Sequence, residues 1–186
     1  MRRHGDTLVA STDFGRERRV ILAGHLDTVP VIDNFPPKWL QPGDPLIRED
    51  VAAGHEHERV IWGRGATDMK GSDAVMLYLA ATLTDAKYDL TYVFYDHEEV
   101  AAEKNGLRKV VESHPDWITG DFAIIGEPTD CGIEGGCNGT MRFDVITHGV
   151  AAHSARAWMG KNAIHAAAEI LNRLNAHENR AIEVDA

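Results

Sequence analysis

The chain has 186 residues, 44% hydrophobic and 26% charged, which suits one soluble domain with a packed core, or one domain and part of a second. Its 29 acidic against 19 basic residues give a net charge of −10. That balance disfavours nucleic acid or an anionic membrane as a partner, since both need a positive field, and it permits a carboxylate site that holds cations.

The first twenty residues lack the continuous apolar run of a signal peptide, and no run approaches the roughly 18 apolar residues of a membrane span. A cytoplasmic setting is therefore expected. Arg18–Gly24 reads as the first buried strand and runs into His25 and Asp27. Val31–Pro45 is Pro-rich and reads as a surface loop, and the polar Glu49–Val60 reads as an exposed turn. A short strand, Arg59–Gly63, precedes the glycine-rich "GRGATDMKG".

Lys70–Leu83 reads as a helix with Val75, Met76, Leu79 and Leu83 on its apolar stripe. Asp89–Tyr95 is the next buried strand, and it ends in "DHEEV". A weaker helix, about Glu103–Ser113, carries Leu107, Val110 and Val111 and stops before Pro115. Asp121–Gly126 is a third apolar strand, followed at once by Glu127. Cys131 and Cys137 lie in a Gly-rich loop at a spacing that matches no zinc pattern, and both are expected to be reduced.

Beyond Gly139 the texture changes. Thr140–Gly149 alternates like a half-exposed strand, and Asn162–Leu174 reads as one amphipathic helix with Ile164, Ala167, Ala168, Leu171 and Leu174 on its apolar face, for core or dimer packing. The expected class is α/β, with a mostly parallel sheet covered by helices. A domain boundary is expected near Asn138, giving units of 1–138 and 139–186.

The chemistry gathers where the strands end. In open α/β sheets ligands bind outside the carboxyl ends of the strands, and three of these strands deliver metal-capable side chains there. His25 and Asp27 lie two apart, so an extended chain points them the same way. Asp27 is thus placed to accept the other ring N–H of a metal-bound His25; a histidine satisfied by local hydrogen bonds is the plainer reading. Asp68 suits either a helix N-cap or a cation site, and the Walker spacing that would make this a phosphate loop is absent. Glu98 and Glu99 cannot face the same way in regular structure, which suggests that one carboxylate holds metal and the other moves protons. His55 and His57 read as members of a solvated loop; Arg156, Lys161 and Asn162 could face substrate or solvent.

In this order, "GHLDTVP", "GRGATDMKG", "DHEEV" and "GEPTD" resemble the di-zinc amidohydrolases and peptidases that include acetylornithine deacetylase, aminoacylase and carboxypeptidases. Within that family the likeness is closest to the succinyl-diaminopimelate desuccinylases, particularly the actinobacterial form, and it covers nearly the whole chain. "NGTMRFDVITHGVAAHSARAWMGKNAIHAA" is similar to the start of the family's α+β lid and dimerisation domain. The resemblance implies a zinc-peptidase-like catalytic fold and two Zn2+ ions, with Co2+ as a substitute. His25 and Glu127 would hold one ion, Asp68 would bridge, Glu99 would hold the second, and Glu98 would be the general base. Asp27 would assist at His25, and His153 would stabilise the oxyanion across a homodimer formed through the lid.

The implied substrate is a small N-acyl amino acid, foremost N-succinyl-LL-2,6-diaminopimelate, hydrolysed to succinate and LL-2,6-diaminopimelate. Another deacylase of the family, or a non-catalytic binding protein that keeps the fold, is the alternative. The family's further histidine ligand finds no match here. His148, His165 and His177 are poor replacements because they lie in the lid portion. The chain is therefore expected to be a fragment whose second metal position is incomplete, and to be inactive by itself.

Overall fold

The computed structural model describes residues 1–136, 139 and 141–181. The chain divides into two compact units, Met1–Glu134 and Gly135–Ala186. Cys137 and the boundary expected at Asn138 lie outside the described residues.

The first unit opens with a hairpin that the sequence reading did not anticipate, β1 (Arg2–His4) and β2 (Thr7–Ser11), turning at Gly5 with φ 60°. There follow β3 (Arg19–His25), β4 (Lys38–Leu40), α1 (Glu49–Ala52) and β5 (Val60–Trp62). A π-helical turn, Ala66–Lys70, leads into α2 (Gly71–Thr82). Then come β6 (Asp89–Tyr95), α3 (Gly106–Ser113), a 3-10 turn at Pro115–Ile118 and β7 (Phe122–Ile125).

The main sheet has five strands in the order β1-β2-β6-β3-β7. β3 runs parallel to both β6 and β7, while β2 pairs antiparallel with β6. This is the expected α/β class with an antiparallel hairpin added at one edge. The register aligns His25 with Tyr95, so the carboxyl ends of β3 and β6 finish at one level.

β6 is buried along its whole length because both faces of the sheet are covered at its position. On one face Val93 and Tyr95 pack with Val9, Ala23 and Val110 of α3, backed by Leu107, Trp117 and Ile118. On the other, Leu90, Tyr92 and Phe94 pack with Met69 and with Met76 of α2. Each such large apolar side chain contributes about 1.5–3 kcal/mol when fully buried. β7 differs: all four of its residues are exposed, so the expectation of a strand covered on both faces does not hold there. It forms an edge of the sheet.

Three local expectations are corrected. The loop expected at Val31–Pro45 contains β4, which pairs with β5 in a separate two-stranded sheet, and the polar stretch after it contains α1. On α2 the face turned to the sheet is Asp73, Met76 and Leu79; Val75 is exposed, because successive helical residues are about 100° apart and Val75 falls outside that stripe. Leu83 lies beyond the end of α2 and is also exposed, and on α3 Val111 is exposed while Val110 is buried.

In the second unit, residues 141–149 form no strand, because no neighbouring strand pairs with them among the described residues; the only pairing recorded nearby is an isolated bridge from Val150 to Lys161. A 3-10 segment, Ser154–Met159, precedes α4 (Ala163–Ala166) and α5 (Ala168–Asn175). The single expected helix is thus interrupted at Ala167. Its apolar stripe is solvent-facing in this chain, with Ile164, Leu171 and Leu174 exposed.

Candidate metal centre

His25 ends β3 and is only 1% exposed. Its neighbour Gly24 gives α2 room to approach: a Cβ there would overlap the carboxylate of Asp73 and the methyl groups of Met69 and Met76. The main-chain N–H of His25 donates to Met69 Sδ at 3.1 Å, and Leu26 N–H continues the ladder to Tyr95 O at 2.7 Å. The main chain that carries the imidazole is therefore fixed at the end of β3.

Asp68 is carried by the turn before α2, where the Asp68–Met69 peptide is cis. Lys70 donates from Nζ to the carbonyl of Leu26, tying this turn to the end of β3. Glu127 follows β7, and Gly126 N–H bonds to Ala23 O at 2.9 Å, extending the parallel pairing to the residue before it. His25 Nε2 stands 3.0 Å from Asp68 Oδ1 and 3.7 Å from Glu127 Oε1. Asp68 and Glu127 face solvent at 49% and 38% side-chain exposure, so the cluster is open on the side away from His25.

Glu98 and Glu99 occupy the turn after β6. His97 has φ 59°, in the left-handed region, and this breaks the alternation that would send the two glutamates to opposite sides. Among the described residues, two groups offer ligand atoms all within 4.8 Å of one another: His25 with Asp68 and Glu127, and His25 with Glu98 and Glu99. The structure thus brings together five of the seven site residues singled out in the sequence. One imidazole nitrogen with converging carboxylate oxygens is a donor set that suits a divalent cation of the zinc or cobalt kind.

The electrostatics reflect that crowding. Burial pulls the His25 pKa down, but Glu127, Asp68 and the carbonyl of Asp27 outweigh it and hold the ring above its ordinary value. Glu127 is pushed up by burial and by Asp68, Glu98 and Glu99, against the opposing pull of His25. Glu99 is raised by burial, then by Asp68 and Glu98. Tyr95 packs edge-on against His25, with ring centres 6.2 Å apart, and burial with the surrounding acids drives its phenol well above the usual range.

Asp27 meets His25 differently from the expectation. His25 Nδ1 bonds to the main-chain oxygen of Asp27 at 3.0 Å, while the nearer carboxylate oxygen stands off at 3.6 Å. That carboxylate instead accepts main-chain N–H groups from Glu98 at 3.0 Å and Glu99 at 3.2 Å.

His153, in the second unit, is exposed, and its Nδ1 accepts Ala155 N–H at 3.1 Å. A neutral ring so bonded carries its proton on Nε2. Asn162 accepts from Ile164 and His165 N–H and caps α4. His55 is exposed and engages Glu58 at 3.2 Å, as a loop residue would.

Two supporting residues escaped the sequence reading. Asp96 takes a 2.6 Å hydrogen bond from Thr7 Oγ1 and a 2.5 Å contact from His97 Nδ1. Burial raises its carboxyl, but those two bonds prevail and hold it below the usual carboxylate range. Asp73 is 5% exposed beneath Gly24, and its spacing three before Met76 is the signal that could have placed it on the inner face of α2.

Fold and site together define a class: an α/β protein with one imidazole and several carboxylates gathered at the carboxyl ends of its parallel strands, a candidate cation site. The family model described as Peptidase family M20/M25/M40 matches residues 21–181, and the chain belongs to that family. A putative succinyl-diaminopimelate desuccinylase DapE of Mycobacterium tuberculosis is 44% identical over 183 residues, covering 98% of this chain and 47% of its own length. The succinyl-diaminopimelate desuccinylase of Corynebacterium glutamicum is 39% identical over 186 residues, covering 98% of this chain and 46% of its own length. The chain therefore spans about half the length of these curated relatives. No helix among the described residues is long and apolar enough to cross a membrane.

Proposed function

We propose that the protein contributes to metal-dependent hydrolysis of an N-acyl amide, with N-succinyl-LL-2,6-diaminopimelate the foremost substrate and succinate and LL-2,6-diaminopimelate the products. The observation that carries this reading is the convergence of His25, Asp68 and Glu127 beside the adjacent Glu98 and Glu99. The names of the relatives support the choice of acyl group.

His25, Asp68 and Glu127 would hold one zinc ion, and Asp68 with Glu99 would contribute to a second. When bound, such ions lower the pKa of water and polarise the scissile carbonyl. Glu98 then serves as the general base: it accepts a proton from the attacking water and returns it to the departing amine nitrogen. Asp27 supports the acids, and buried Tyr95 flanks His25 edge-on from the neighbouring strand. His153 offers its Nε2–H to the developing oxyanion, a role worth a few kcal/mol, in a homodimer formed through the second unit. The setting would be cytoplasmic, where such an amino-acid precursor is made.

The test is metal analysis of the purified chain, followed by amide-hydrolysis assays on it and on any longer product that contains it. Succinyl-diaminopimelate and N-acetylornithine serve as competing substrates. Preference for the succinyl compound supports the reading; preference for acetylornithine moves the protein to another deacylase branch. Bound metal without hydrolysis of any acyl amide by either product would overturn it.

A further inference from the structure

The carboxylate of Asp27 takes one main-chain N–H on each oxygen, from Glu98 at 3.0 Å and from Glu99 at 3.2 Å. Consecutive N–H groups converge on one anion only where the chain leaves extended geometry, and His97 at φ 59° supplies that departure. His25 makes no comparable demand on this carboxylate, because its Nδ1 is already paired with the main-chain oxygen of Asp27. A residue placed two after His25 thus divides its polar groups, main chain toward the imidazole and side chain toward the acids.

We propose that Asp27 is a positioning residue for the Glu98–Glu99 pair: its carboxylate holds the turn in which both glutamates reach toward His25. What those glutamates do rests on the function proposed above; the anchoring itself stands on geometry. The residue type follows from the arrangement. Asp27 adds another negative charge beside Asp68, Glu98, Glu99 and Glu127, an unfavourable choice if only volume mattered. An asparagine of equal size offers one acceptor oxygen and one NH2 group that only donates, and that NH2 would confront one of the two N–H groups. Only a carboxylate accepts on both oxygens, and charge-assisted bonds of this kind are the stronger class.

The test begins on the isotope-labelled chain without added metal, which separates the anchoring from the functional reading, and ends with a zinc titration. In the wild type, magnetic resonance should detect couplings across the hydrogen bonds from the Glu98 and Glu99 amides to the Asp27 carboxyl carbon. In Asp27→Asn, exchange of at least one of these amides should accelerate about tenfold or more, the size of one lost charge-assisted bond, with the His25 tautomer unchanged. Zinc affinity should fall by a similar factor while the unfolding midpoint stays near the wild-type value. Absent couplings in the wild type would overturn the proposal even if the variant does not fold. So would a changed His25 tautomer with both amides undisturbed, or freed amides with zinc affinity intact.

Discussion

Thr7 Oγ1 donates a 2.6 Å hydrogen bond to Oδ1 of Asp96, joining the N-terminal hairpin to the turn that carries Glu98 and Glu99. Thr7 is fully buried, so its hydroxyl cannot be replaced by water without opening the structure. Thr7→Val keeps the volume and removes the donor, and should cost about 1.5–3 kcal/mol, the range for hydrogen bonds to charged groups. The folded pKa of Asp96 is depressed, so its stabilisation is present above the unfolded pKa and lost as pH falls through the folded value. The deficit of Thr7→Val should therefore be largest near neutral pH and shrink in acid, as read by thermal unfolding at several pH values. A deficit that stays constant with pH would mean the hydroxyl does not act through this carboxylate.

Gly106, the first residue of α3, should tolerate no side chain. A Cβ there would overlap both Asp96 Oδ1 and Thr7 Oγ1, and its own N–H bonds to Asp96 O at 2.8 Å. Gly106→Ala ought to raise helix propensity yet lower stability, since the overlap outweighs the gain of about 1 kcal/mol that alanine brings within a helix. Denaturant titration decides; a stabilised variant would contradict the close approach.

Both oxygens of Asp73 are buried without a hydrogen-bond partner among the described residues. Burial raises its pKa, against the opposing pull of Lys70 and His25. A raised acid binds more protons in the folded state, so it costs stability as pH rises from the unfolded pKa through the folded one. Asp73→Asn is expected to unfold at higher temperature than the wild type near neutral pH, with the advantage fading in acid. An equal advantage at every pH would show that charge is not the cause.

Zinc or cobalt should stabilise the folded chain, because the unfolded chain cannot assemble His25, Asp68 and Glu127. At a free ion concentration a hundredfold above the dissociation constant, the gain is about 2.7 kcal/mol. Glu127→Gln should lose most of that gain. Glu127 and Glu99 are held above the usual carboxylate range, so binding should weaken as pH falls and should release protons. Calorimetry in buffers of different ionisation heat measures that release directly; zero release would contradict the shared acid cluster.

Where hydrolysis is measured, Glu98→Gln should lower turnover by about 10²–10⁴-fold, the usual worth of a general base, while bound metal is retained. If Glu98→Gln loses metal and Glu99→Gln does not, the two roles are reversed. His153→Ala should lower turnover with little change in metal content. Recovery of activity in mixed dimers of His153→Ala and Glu98→Gln chains would establish that His153 acts across the dimer.

The three parallel strands were readable because each is a short apolar run that ends in polar, metal-capable residues; Asp89–Tyr95 matches its expected bounds. The site cluster was readable for the same reason, since period-two geometry fixes where a strand ends its side chains. The hairpin β1–β2 escaped because Arg2–His4 is polar throughout, and an edge strand needs no apolar signature. Strand β4 escaped because prolines flank it and its partner β5 lies some twenty residues downstream. The contacts of Asp27 were beyond the sequence for a different reason. Spacing says where a side chain can point, but not whether the same residue's main chain has already taken the bond.

The parallel register of β3, β6 and β7 has a consequence for how such a protein can change over time. His25 closes β3, and Glu98, Glu99 and Glu127 lie just beyond β6 and β7, while Asp68 comes from the turn before α2, so the loops can lengthen or exchange residues while the ladder stays intact. Ion preference and acyl-group range can drift on a scaffold that does not move. A one-residue insertion inside β6 has the opposite effect: it would turn each buried side chain beyond it to the wrong face and shift Glu98 and Glu99 away from His25. The sheet is the part of this molecule that history can least afford to edit.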